Sequence, residues 1–111
     1  MLYYAGMPTI SSATTDPEAL AELGRRLRLY RGQQELTVKE LALRAGLSPL
    51  TILKAEGGQN VTLRTLLRIL RSLGRIDLVD SMLPPPAPSP LSLLAGGVVA
   101  PRQRVRKRSG G

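Results

Sequence analysis

Arg102, Arg104, Arg106, Lys107 and Arg108 stand within residues 101–111 with no acidic neighbour. Such a cluster can neutralise phosphates without reading sequence. The alternative is that it only keeps that segment solvated. The same sign runs through the whole chain. Its 111 residues hold 16 Lys and Arg against 8 Asp and Glu, a net charge of +8. That balance favours polyanionic partners, with nucleic acid the first candidate. Cys and His are both absent. Disulfides, thiolate metal sites, Cys nucleophiles and His acid–base catalysis are therefore excluded. Asp77 and Asp80 fall on one short helical stretch without partners for acid–base work. There is no nucleophile–base set, no phosphate loop of the Walker type and no metal-ligand spacing. The expectation is a protein that is not an enzyme and carries no cofactor or metal. Tyr3, Tyr4 and Tyr30 are the only aromatic residues. Single strands are usually held by stacking bases on aromatic side chains, so duplex DNA is the better candidate.

The elements that would position this chemistry lie between two irregular ends. Residues 1–15 lack periodicity and read as a flexible arm. Residues 84–111 hold the proline-rich stretch Pro84-Pro85-Pro86-Ala87-Pro88-Ser89-Pro90 and the basic tail. They read as a linker and tail, largely disordered or partner-binding. The apolar patch from Leu91 to Leu94 could order against a partner. It is too short to span a bilayer, and the N-terminus lacks the pattern of a secretory signal. The expected location is the cytoplasm, at the nucleoid.

Residues 16–83 read as an all-α domain of five helices. Asp16 is expected to cap the first, with Pro17 in its first turn. Leu20, Leu23, Leu27 and Tyr30 share one apolar face. Arg25, Arg26, Arg28 and Arg31 decorate the rest, and Gly32 marks the end. Thr37-Val38-Lys39-Glu40 is a capping box for the second helix, which buries Leu41, Ala42 and Ala45 and stops at Gly46. Ser48 caps the third, Pro49 opens it, Ile52 and Ala55 point inward, and Gly57-Gly58 closes it. Ala45-Gly46-Leu47 must turn the chain sharply, and Gly46 tolerates the left-handed backbone this needs. Thr62 caps the fourth, whose stripe is Leu63, Leu66, Leu67, Leu70 and Leu73. Arg64, Arg68, Arg71 and Arg75 sit on its other faces, and Gly74 ends it. A fifth helix, about 77–83, offers Leu78, Val79 and Leu83.

Residues 37–57 closely resemble the helix-turn-helix of the XRE family of lambda-repressor-like transcription regulators. Thr37, Leu41, Ala42, Ala45-Gly46-Leu47-Ser48, Ile52 and Glu56-Gly57 agree with that pattern in register. With the first and fourth helices the resemblance covers about residues 18–74. It implies a lambda-repressor-like five-helix fold with a recognition helix in the major groove and a bracing helix across the backbone. It implies base or phosphate contacts from Ser48, Pro49, Leu50, Thr51 and Lys54, and backbone contacts from Thr37 and Lys39. The chain departs from the pattern at Val38, where the family often has Gln, and at Pro49-Leu50 and Leu53. Apolar contact with thymine methyls is open to these side chains, but bidentate base readout is not. Specificity is expected to lean on few base contacts, DNA shape or the arms.

The plan of domain, proline hinge, apolar motif and basic end resembles HipB-type antitoxins that accompany HipA-like kinase toxins. The resemblance implies a homodimeric autorepressor on a palindromic operator, with a kinase-like toxin held by the fourth and fifth helices or the tail. The fifth helix is the candidate dimer surface. A prophage-type repressor would use the same domain. An adaptor that has lost DNA binding is the alternative from another class.

Overall fold

The structure is a computed structural model that describes residues 8–94. Residues 1–7 and 95–111 lie outside the described part, and with them the basic cluster at 102–108. Among the described residues there are six helices and no strand: α1 (Asp16–Gln33), α2 (Val38–Ala45), α3 (Pro49–Glu56), α4 (Leu63–Ser72), α5 (Asp77–Met82) and α6 (Pro90–Leu94). The first five form the expected all-α domain. No described helix is long and apolar enough to cross a membrane.

Local chemistry starts each of the first four helices. Thr15, not Asp16, caps α1. Its hydroxyl accepts from the Glu18 amide, and the Glu18 carboxylate accepts from the Thr15 amide at 2.9 Å. Thr15 with Glu18 completes a capping box, which moves Asp16 and Pro17 into the first turn. Thr37 and Glu40 form the expected box at α2. Ser48 and Thr62 accept from the amides of Thr51 and Thr65 at the starts of α3 and α4. Pro90, at the first position of α6, has a fixed φ that suits a helix start. That turn of helix was not expected in the linker.

Leu41, Ile52 and Ile69 are almost wholly buried, and Leu27, Leu36, Ala42, Ala55, Leu70 and Leu73 complete the core. α2 packs on α3 and α4, and α1 packs on α3. Three expected assignments change. Leu23 is exposed, whereas Glu22 and Gly24 beside it are buried. Glu22 can be buried because Arg25 and Arg26 both hold its carboxylate, at 2.7 and 2.9 Å. On α4 the buried stripe takes in Ile69, and Leu63 and Leu67 are exposed. α1 runs past Gly32 to Gln33, because Arg31 is anchored in its last turn. The chain reverses instead at Glu35, whose φ is +57°.

Residues 8–15 meet α1 through Arg26, whose guanidinium donates to the Pro8 carbonyl at 2.7 Å. Leu78 and Val79 pack on the core of their own chain. Met82 and Leu83 are therefore the exposed apolar side chains of α5 and its end.

Candidate nucleic-acid interface

Gly46 carries the turn between α2 and α3. Its φ of +67° and ψ of 35° are left-handed, a conformation that costs an L side chain but not glycine. The next amide, of Leu47, donates back to the Ala42 carbonyl at 2.9 Å. That bond closes the end of α2 as in a Schellman motif, and Leu47 packs against the core. Only Leu47 and Ser48 separate Gly46 from α3, so the turn fixes its angle to α2.

α3 has two sides. Ile52 and Ala55 are buried, and Ser48, Pro49, Leu50, Leu53 and Lys54 are exposed. Leu50 is 59% exposed and Leu53 54%. Thr51 is half-buried, and its hydroxyl lies 2.9 Å from that of Ser48. The start of α3 is therefore sparing with donors. Pro49 has no amide, the Thr51 amide serves the cap, and the Ile52 amide begins the helix ladder. The Leu50 amide is the one left for an anion at this end. At α2 the Thr37 amide is committed to Glu40, which leaves the first-turn amides of Val38 and Lys39. Hydrogen bonds from the Thr37 amide and hydroxyl group hold the Glu40 carboxyl below its ordinary value. Thr37 and Lys39 are both exposed.

Val38 and Leu53 border one shallow hollow of about 340 Å³, together with Arg28, Arg31, Glu56 and Gly57. Two of the three departures from the family pattern thus meet, at the start of α2 and the middle of α3. Arg28 was missed as a candidate because the sequence shows it only as one of four arginines on α1. Its signal is spacing: Arg31, one turn further along α1, reaches Glu56 at the end of α3. Arg31 donates to both carboxylate oxygens of Glu56, at 2.6 and 2.9 Å, and to the Leu36 carbonyl at 2.8 Å. The pair with Glu56 keeps the Arg31 guanidinium protonated more firmly than usual. Glu56 is thus a structural residue that ties α3 to α1.

A helix–glycine turn–helix pair braced on a third helix, with a solvent-facing second helix, is the arrangement that fits a major groove. A family model of the helix-turn-helix domain matches residues 22–80. The chain belongs to that family. No curated protein matches it. The helix-turn-helix domain so defined runs from the middle of α1 to α5 and contains every expected groove-facing residue. The family makes the chain a DNA-binding regulator by type.

Proposed function

We propose that this helix-turn-helix protein is a sequence-specific, double-stranded DNA-binding transcription regulator of the XRE type. The observation that supports the reading most is the exposed side of α3, which ends in Lys54 and stands on a rigidly turned α2. Lys54 meets a guanine edge or a phosphate. Leu50 and Leu53 meet thymine methyls or the sugar backbone. Thr37, Lys39, Ser48 and Thr51 hold phosphates through hydroxyls, amides and the lysine charge. Pro49 fixes the start of the helix against the groove. Arg28 adds a cation at the rim of the hollow beside α2. Arg102, Arg104, Arg106, Lys107 and Arg108 assist by neutralising phosphates. With so few polar base contacts, much of the sequence preference comes from DNA shape.

The finer reading is a homodimeric autorepressor acting from the cytoplasm on a palindrome upstream of its own gene. The hinge-and-tail plan supports a HipB-type antitoxin with a kinase-like toxin as partner, and a prophage-type repressor is the other regulator that fits. Exposed Leu50 and Leu53 favour one competing class, an adaptor that uses α3 to bind protein.

The test is fluorescence anisotropy of the full chain on its own upstream DNA and on a scrambled duplex. Preference for the upstream DNA should persist as salt rises. Lys54→Ala should weaken that binding about tenfold, a loss of roughly 1.4 kcal/mol, within the range of a good base contact. Removing residues 101–111 should flatten the salt dependence. Equal binding to both duplexes would replace the regulator with a nonspecific basic binder. No binding to either would favour the adaptor.

A further inference from the structure

The fourth helix carries an exposed face that lies outside the α2–α3 pair. α4 and its C-cap bury Ile69, Leu70 and Leu73, half-bury Leu66, and turn Leu63, Leu67, Arg64, Arg68 and Arg71 outward. Leu63 is 77% exposed and Leu67 37%. They are four residues apart, so they lie one above the other on the helix. The arginines follow at spacings of four and three, which sets a cationic stripe along the margin of the leucine pair. None of the three makes an ion pair among the described residues, whereas Arg25, Arg26, Arg31 and Arg75 all do.

We infer that this face of α4 docks an acidic amphipathic helix of another protein, one that sets leucine-like side chains on Leu63 and Leu67 and carboxylates on Arg64, Arg68 and Arg71. Charge complementarity selects this occupant. A second copy of the chain lacks the acids. Five of its eight carboxylates are already committed: Glu18 and Glu40 to helix caps, and Glu22, Glu56 and Asp77 to arginines. Asp16, Glu35 and Asp80 are scattered over α1, the connection to α2, and α5. A phosphate backbone would satisfy the arginines but leave the leucines wet. An acidic helix satisfies both, since apolar contacts supply affinity and opposite charges set register and encounter rate. The inference does not depend on the operator reading, because α3 and its exposed side take no part in it.

The test uses the full chain and a labelled helical peptide of leucine and glutamate whose leucines share one face. A peptide of the same composition, scrambled so that its leucines are spread around the helix, is the control. The patterned peptide should bind at least about tenfold more tightly than the control. Leu63→Ser with Leu67→Ser should abolish that preference while the domain stays folded with a cooperative thermal transition, since neither side chain belongs to the buried core. Arg64→Glu with Arg68→Glu should weaken the patterned peptide and leave specific DNA binding unchanged. Equal binding of the two peptides would overturn the inference, as would leucine variants that keep the preference. Loss of DNA affinity in the arginine variant, with peptide binding intact, would reassign the stripe to phosphates. DNA binding of the unaltered chain is scored in the separate assay above, so either reading can fail alone.

Discussion

Glu56→Ala should destabilise the domain by about 3–5 kcal/mol, the cost of breaking a buried ion pair from one side. The Arg31 side chain is 14% exposed and that of Glu56 7%, so water reaches the pair only from the hollow that both border and replaces the lost partner poorly. Arg31 would keep its bond to the Leu36 carbonyl but would hold a charge against the core without a counter-ion. A small domain has only about 5–15 kcal/mol of stability in total, so the variant should unfold at far lower urea than the parent. Arg31→Met with Glu56→Leu should recover most of the loss, because two apolar groups need no hydration. The urea midpoints of the three proteins decide the matter. A change below about 1 kcal/mol in Glu56→Ala is the value of an exposed pair, and it would mean that the bond does not join the helices. On the proposed reading of α3, DNA affinity should fall with stability, since Glu56 ends that helix and Arg31 ties it to α1.

That pair also shows where a sequence stops being legible. The starts of α2, α3 and α4, the turn at Gly46 and the inward positions of Ile52 and Ala55 follow from signals within four residues of each other, so they can be read directly. The cap of α1 is equally local, but Asp16 competes with Thr15 for the role. Only Thr15 has an acidic residue, Glu18, three positions further on to complete the reciprocal pair. Glu56 meets Arg31 from 25 residues away, and no spacing rule announces such a partner. Leu23 was expected inside because periodicity counts apolar residues. It does not register a glutamate that becomes buried once two arginines hold it, or a glycine that becomes buried because a neighbouring backbone comes close. The exposed face of α3 was legible because its buried face was. Arg28 was not, since its importance comes from the hollow it shares with Val38 and Leu53.

Gly24 turns this last point into a measurement. A Cβ at Gly24 would lie 2.7 Å from the Ala55 carbonyl oxygen and 2.8 Å from the Glu56 carbonyl carbon. Both are backbone atoms of α3, so no side chain can swing aside, and α1 and α3 would have to separate. Overpacking of this kind costs about 3 kcal/mol. Alanine in place of glycine also favours the helix by about 1 kcal/mol. Gly24→Ala should therefore destabilise the domain by roughly 2 kcal/mol. Gly32, two turns further along the same helix, has nothing within 4 Å of its Cβ position. Gly32→Ala should gain the helix preference alone, about 0.5–1 kcal/mol. The same substitution, made twice in one helix, should thus move the urea midpoint in opposite directions. Gly24→Ala should also weaken DNA binding, because the separation tilts α3 against its brace, and Gly32→Ala should leave it unchanged. A stabilised Gly24→Ala variant would mean that α1 does not lie against the end of α3 as closely as these distances require.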